Sequence, residues 1–456
     1  MLIKNGLVVT PDKTGYADVR TEGGTILCIG EDLIPAEGEE VYDASGRWVL
    51  PGGVDAHTHF DMPFGDGGST ADDFTAGTRA AIAGGTTTVL DFPEASPGET
   101  MADSLAAWHK KADGRSYCDY SFHVTVSSWN VDCRADYAQM VREGITSFKT
   151  YTCYHDSIGV DDGALYRILK AVKEVGGLLL VHCENGDLMN TMADELAKEE
   201  PAKVRNHALS RPNLVEAEAV SRVIDVASLA GAPVYIVHVS TGEALDRIAE
   251  ARSRGQKVYA ETCPHYLLFD DSKYDSNDLA AAGYVMSPPL RSPADRARLW
   301  SGIKNGEVDA VSTDHCTFTL EQKAPGLKDF RQLPGGVPGV ENRLELIYHA
   351  GIAKGLTIRA IAGMTAEQPA KIFGLYPKKG VIAPGSDADI VIMNPIKEHT
   401  YKAANQVTAT DYSIYEGMSV RKTVEAVIRR GQLIYRDGEF LEDKPGGQFL
   451  RCAAVH

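Results

Sequence analysis

Six residues scattered over a chain of 456 have the types and settings of a two-metal hydrolase: His57, His59, Lys149, His182, His238 and Asp314. His57 and His59 stand two apart in Val54-Asp55-Ala56-His57-Thr58-His59-Phe60, so on a strand both side chains point to one face. His182 and His238 each close a short apolar run, and Asp314 closes another, Ala310-Val311-Ser312-Thr313. Neutral imidazoles and carboxylates suit Zn²⁺, and two ions about 3.5 to 4 Å apart can share one hydroxide. Two divalent ions bring four positive charges, while four neutral histidines and one aspartate return a single negative one, so a further anion is expected. Lys149, in Ser147-Phe148-Lys149-Thr150-Tyr151, meets that need indirectly. An ammonium cannot ligate a cation, but burial beside metals depresses a lysine's pKa, and the freed amine can capture CO₂ as an anionic carbamate. Taken alone, the same lysine reads as a residue snorkelling to the surface.

These residues need strands whose C-terminal ends converge. From about residue 51 to residue 376, apolar strand-like runs alternate with amphipathic helical stretches, the signature of repeated βα units. Strands are predicted over residues 53–58, 87–92, 120–126, 145–151, 178–183, 234–239, 257–262 and 308–313. Eight parallel strands in that span suit a (β/α)8 TIM barrel, whose active-site residues lie at strand C-terminal ends. An open doubly wound sheet fits less well, because no GxGxxG or phosphate-binding loop follows any of the runs. Gly84-Gly85 reads as a turn, and Pro334 to Gly339 as an ordered loop near the last barrel unit. Residues 1–50 alternate short apolar runs with Gly and Asp turns, and KGVIAPGSDADIVIMNP and TVEAVIRRGQLIYRDGEF repeat the pattern in residues 377–456. Neither end is large enough to stand alone, so the two are expected to pair into one small β domain beside a barrel of residues 51–376.

Composition narrows the partners. The net charge of -17, from 63 acids against 46 bases, argues against a nucleic-acid backbone or an anionic membrane. MLIKNGLVVT holds too short an apolar stretch for a signal peptide, and no run reaches the roughly 18 apolar residues of a membrane span, so a cytoplasmic protein is expected. The eight cysteines, at 28, 118, 133, 153, 183, 263, 316 and 452, form no CxxC pair and read as reduced, mostly structural thiols. GxSxG is absent, and no Ser-His-Asp arrangement is needed.

The chain resembles the cyclic amidohydrolases, in particular the D-hydantoinase and dihydropyrimidinase family of the amidohydrolase superfamily. The resemblance runs end to end through PGGVDAHTHF, GGTTTVLDF, SFKTYTCY, HCEN, HALSRP, YIVHVS, ETCPHYL, SPPLR and STDHCTF, in that order. It implies a TIM barrel with a β-sandwich from both termini and a binuclear site of Zn²⁺, with Mn²⁺ as the alternative, bridged by carboxylated Lys149. His57, His59 and Asp314 would serve one ion, and His182 and His238 the other. The implied reaction is attack of the bridging hydroxide on the carbonyl carbon of a cyclic amide, with Asp314 carrying the proton to the leaving nitrogen. Tyr154 corresponds to the family's oxyanion-stabilising tyrosine, and Ser287 to the residue whose backbone holds the substrate's imide. The second backbone contact falls in Leu333-Pro334-Gly335-Gly336, where the family usually has Asn at the place of Gly335. Asn342, where many relatives carry an acid, points to the phenylhydantoinase-like branch. A homotetramer, or a homodimer, is implied as well.

The loops over residues 61–74, 93–100 and 154–162 would choose the substituent, and Met62, Pro63, Phe64, His155 and Ile158 favour an apolar or aromatic one. A 5-substituted hydantoin, opened to an N-carbamoyl amino acid, is therefore the expected substrate. Dihydrouracil or dihydrothymine is the alternative and allantoin a more remote one, since these loops show no cation for a polar group. A noncatalytic scaffold of the same family would have lost metal ligands, and all six remain. His123, His265 and His315 read as structural, the last pointed away from the metals by strand alternation; Cys183 and Cys316 merely flank ligands.

Overall fold

The computed structural model describes residues 1–65, 67–96, 98–127, 134–155, 157–441 and 443–456, with only the backbone of Arg134. Eight parallel strands alternate with helices through the middle of the chain. They are Gly53–Thr58, Thr86–Asp91, Asp119–Phe122 continued by Val124–Thr125, Ser147–Tyr151, Leu178–His182, Val234–Ile236, Val258–Thr262 and Ala310–Val311. Each is hydrogen-bonded in parallel to the next, apart from a break at His123 within the third. A parallel bridge between Thr58 and His315, with His59 N donating to His315 O at 2.8 Å, joins the eighth strand to the first and closes the barrel.

The local sequence explains the pieces. Thr-Thr-Thr-Val-Leu-Asp and Leu-Leu-Leu-Val-His are β-branched or apolar throughout, as strands covered on both faces must be. Helices are started by side-chain caps, including Asp73 before Phe74–Ala83, Asp161 before Asp162–Glu174 and Thr241 before Gly242–Ser253. Gly84 and Gly85 end the first of these. Gly85 has φ +83°, and a Cβ on Gly84 would meet Glu341 O at 2.3 Å. Inside the barrel, Val54, Ala56, Leu90, Phe92, Leu178, Leu180 and Tyr235 form a core continuous with Ala370 and Phe373. Wholly buried Arg343 binds the carbonyls of Val54 and Val311, both at 3.0 Å, and so ties the first strand to the eighth.

The two ends of the chain meet in one nine-stranded sheet. Leu2–Val9, Thr14–Glu22, Thr25–Gly30, Val41–Asp43 and Trp48–Pro51 come from the first end, and Ile390–Asn394, Thr423–Arg429, Gln432–Arg436 and Glu439–Phe440 from the other. The junction is antiparallel pairing of Trp48–Pro51 with Ile390–Asn394. The two halves of the expected sandwich are thus one hydrogen-bonded sheet. Its Ile3, Val8, Val19, Ile390, Ile392 and Ile428 pack into a separate core, while Val391, Met393 and Val427 join the main core of the molecule. No helix among the described residues is long and apolar enough to cross a membrane.

Candidate active site

Two predicted strands end two or three residues early, and the reason lies in the site. The sixth stops at Ile236 and the eighth at Val311, after which His238 turns at φ +38° and Asp314 at φ +50°. Tyr154, after the fourth strand, has φ +60°. Non-glycine residues rarely adopt left-handed backbone, and three of them at one barrel mouth re-aim side chains that regular strands would direct elsewhere. Tyr235 and Val237 face the barrel core, so simple alternation would have turned His238 out of it. The first strand uses another device. A register irregularity between Asp55 and Thr58 lets Val54 and Ala56 pack in the core below while His57 and His59, out of phase with them, face the mouth.

The six residues named from the sequence all line one cavity of about 220 Å³, together with Tyr154, Ser287 and Gly335. Nitrogens of His57 and His59 and an oxygen of Asp314 lie within 4.8 Å of one another. Asp314 Oδ1 is 3.1 Å from His57 Nε2 and 3.2 Å from His59 Nε2. The His238 ring centre stands 4.6 Å from that of His182 and 5.5 Å from that of His57. Burial opposes ionisation of the Asp314 carboxyl, but His57 outweighs it and holds the group well below the usual carboxylate range. For His57 burial acts downward, and Asp314 with Glu261 raises it to about 9.

Lys149 is 1% exposed, and no carboxylate lies within ion-pair distance of it among the described residues. Its Nζ stands 5.0 Å from the ring centres of both Phe92 and Tyr151. Burial lowers its pKa to about 8, against partial opposition from Asp314 and Glu261. Such an amine is available as a nucleophile near neutral pH.

The residues around this cluster orient it. Glu261 accepts from His57 Nδ1 at 2.7 Å and from the Tyr235 hydroxyl at 2.9 Å, which leaves His57 Nε2 for the cavity. Glu184 binds His182 Nε2 at 2.7 Å and is itself held by Arg211 Nη1 at 2.6 Å, which leaves His182 Nδ1. Carboxylates behind the far nitrogen of a histidine are the usual second support of a metal ligand. Cys153, His182 and Glu184 also lie close enough to hold an ion, but Glu184 already carries Arg211 and burial holds the Cys153 thiol protonated. His57 Nε2 and His59 Nδ1 are buried with no hydrogen-bond partner. A bare imidazole nitrogen, His57 Nε2, with His59 Nε2 beside the same half-buried carboxylate is what a divalent cation satisfies, so the donor set fits the metal site expected from the sequence.

Glu261 and Glu184 carried no role in the sequence reading, though both stand inside quoted motifs. Their signal was a carboxylate in an otherwise apolar strand or strand end. Arg211, in HALSRP, was missed likewise because it belongs to no loop of the mouth. Of His123, His265 and His315, outside the candidate ligand set, two are held by protein partners. His123 binds Ser147 Oγ at 2.6 Å and Ala56 O at 3.1 Å, and His315 binds Asp72 at 2.9 Å and accepts from the amides of Gly339 and Val340. His265 is buried, with both ring nitrogens unpartnered, and lines no part of the cavity. Seven cysteines are free and Cys133 lies outside the described residues.

Of the loop residues, Met62, Pro63 and Ile158 line the cavity, joined by Glu94. Phe64 instead packs on Phe318, with ring centres 4.8 Å apart, and His155 is exposed. Residues 66, 97 and 156 of these loops lie outside the described residues. Asn342 precedes the helix Arg343–Ala353, where its Oδ1 accepts from Gln406 at 2.9 Å; it does not line the cavity. Lys323, wholly buried, ties the two segments carrying Ser287 and Gly335: its Nζ donates to Val285 O at 2.9 Å and Pro334 O at 3.0 Å.

The closed barrel with histidines and an aspartate converging at the C-terminal ends of its strands defines a (β/α)8 hydrolase class. The family described as Amidohydrolase family matches residues 48–434, and the chain belongs to it as a cyclic amidohydrolase. It is 42% identical over 456 residues to D-hydantoinase of Geobacillus stearothermophilus, covering 99% of this chain and 96% of that protein. It is 40% identical over 455 residues to D-phenylhydantoinase of Escherichia coli O1:K1, covering 99% and 98%. Among solved structures, dihydropyrimidinase from Brevibacillus agri superposes with a TM-score of 0.97 at 41% identity, over 100% of this chain and 99% of that one.

Proposed function

We propose that the enzyme opens the ring of a 5-substituted hydantoin by hydrolysis, giving an N-carbamoyl amino acid. The observation that carries this reading is the meeting of the six candidate ligands with Tyr154, Ser287 and Gly335 in one small cavity. His57, His59 and Asp314 would hold one divalent ion, and His182 and His238 a second, with carboxylated Lys149 between them. Zn²⁺ suits the donor set best, with Mn²⁺ as the alternative. Bound there, the ions supply Lewis acidity and a water acidic enough to act near neutral pH.

The chain's own residues do the rest. The Tyr154 phenol, whose pKa burial raises, stays protonated and can donate to the oxygen on which charge develops. Asp314 would take a proton and return it to the leaving nitrogen. Main-chain groups of Ser287 and Gly335 would hold the ring, and Lys323 keeps their two segments together. An apolar side of Met62, Pro63 and Ile158 favours an aryl or alkyl group over an unsubstituted dihydropyrimidine.

Hydrolysis of phenylhydantoin and dihydrouracil by the zinc-loaded enzyme tests this. Preference for phenylhydantoin is expected, and a large preference for dihydrouracil would assign the pyrimidine reading. Absence of bound metal together with no zinc-restored activity would instead leave a scaffold. We further propose a barrel unit of residues 51–376 with a β unit of residues 1–50 and 377–456, a homotetramer in solution, and a cytoplasmic location, which the free cysteines support. Sedimentation analysis checks the assembly.

A further inference from the structure

A second cavity, of about 540 Å³, adjoins the catalytic one and shares three of its wall residues, Tyr154, Ser287 and Gly335. At Gly335 the shared wall carries no side chain. A Cβ there would come within 2.8 Å of Ser287 Oγ, so any side chain at this position would press into the partition. The catalytic cavity therefore has two sides. One is the apolar loop side of Met62, Pro63 and Ile158, and the other borders the second compartment along Tyr154, Ser287 and Gly335.

That compartment has a polar end and an apolar sleeve. Arg211 lines it at 9% exposure. One guanidinium nitrogen, Nη1, is spent on Glu184 at 2.6 Å, and the remaining side-chain donors make no hydrogen bond among the described residues. A guanidinium carries five N–H donors in a planar fork, so a bidentate partner is left unfilled here. Glu184 balances the Arg211 charge, but it takes Arg211 Nη1 and His182 Nε2 on the same oxygen, Oε2, and so leaves the rest of the Arg211 fork unfilled. Burial holds His207 in the same lining neutral, with a pKa of about 3, so it adds no competing charge. At the rim Arg331 is already paired with Asp194 at 2.8 Å and with Asp329 at 2.6 Å. Met189, Ala193 and Leu333 supply walls for a short hydrocarbon linker.

We propose that this compartment is a substrate subsite for a carboxylate-bearing arm of the cyclic amide, with Arg211 as the residue that recognises the carboxylate. The proposal rests on the cyclic-amide reading for the ring and adds a class of substituent to it. The ring occupies the catalytic cavity, the arm passes Gly335, and its carboxylate takes the free edge of the Arg211 fork. No bond is made or broken in the subsite.

Calorimetry on the zinc-loaded enzyme tests it, using hydantoins that carry ω-carboxyalkyl arms of one to four methylenes at C5 or at the imide nitrogen, each against its neutral carboxamide. At one attachment point and length the carboxylate is expected to bind about tenfold tighter, as a charge-assisted fork does over a neutral contact. Ala193→Asp, on the helix Gly186–Glu199, places a negative charge in the compartment and should erase that preference. Ala193→Trp fills the space and should weaken both arms alike. Neither variant should alter hydrolysis of unsubstituted hydantoin. A carboxylate that never outbinds its carboxamide, or a preference that survives Ala193→Asp, overturns the subsite. Failure to open unsubstituted hydantoin would count against the proposed function instead, because the binding comparison needs no turnover.

Discussion

Lys149 and Lys379 are the same residue at the same 1% exposure, in two regions that treat them oppositely. Lys379 sits where the C-terminal segment meets the start of the third barrel strand, and its Nζ reaches Asp119 at 2.5 Å, Asp389 at 2.7 Å and Asp387 at 2.8 Å. Burial pulls its pKa down, but three carboxylates more than reverse this and lock it as a cation. At the barrel mouth Lys149 has aromatic rings for neighbours and no carboxylate in reach, so burial prevails. The difference teaches that burial does not decide what a lysine does. The count of carboxylates within about 4 Å does, because only they repay the desolvation of the charge.

The largest expected effect comes from removing the reactive lysine. Lys149→Ala should lose bound metal and lower kcat on the order of a thousandfold, several kcal/mol at about 1.36 kcal/mol per tenfold, with partial rescue by short carboxylic acids. Metal analysis beside steady-state kinetics reads both, and full metal content with full activity would remove Lys149 from the site. Lys379→Met inverts the outcome. Leaving Asp387 and Asp389 without this cation, and Asp119 with Arg430 alone, should cost roughly 3–5 kcal/mol of stability, seen as a lower denaturant midpoint, with activity per folded molecule kept. A variant that unfolds at the parent midpoint would show the cluster to be neutral.

Glu261→Gln probes the support behind His57. Metal affinity should fall about 10- to 100-fold while the fold holds, as measured by competition with a chelator; unchanged affinity would deny the orienting role. Lys323 makes a third case, buried with neither metal neighbours nor a carboxylate in ion-pair distance among the described residues. Burial lowers its pKa to about 7 from an ordinary 10.5. Between those values the unfolded chain holds a proton that the folded one has released, so this group's penalty is full below pH 7 and is relieved as pH rises toward 10.5. Lys323→Met should flatten that rise in stability and, by freeing the Ser287 and Gly335 segments, raise KM more than it lowers kcat. An unchanged pH slope would show that Lys323 keeps its proton in the fold.

Residue types and their order determined much of this protein. Apolar runs at regular intervals specify eight strands, and each candidate ligand stands where such a run ends, because barrel strands covered on both faces admit polar residues mainly at their ends. Charge balance alone pointed to Lys149. Tertiary structure decided the aim and the support. Alternation by itself would have turned His238 outward, and its left-handed backbone brings it in; the irregularity after Asp55 does the same for His57 and His59. Glu261, Glu184 and Arg211 meet the site from separate segments, and the wall shared by the two cavities exists only once residues 154, 287 and 335 come together. A periodic sequence specifies which face a residue takes on a regular element. Irregular backbone and long-range contact, which have no period, fix where the face finally points.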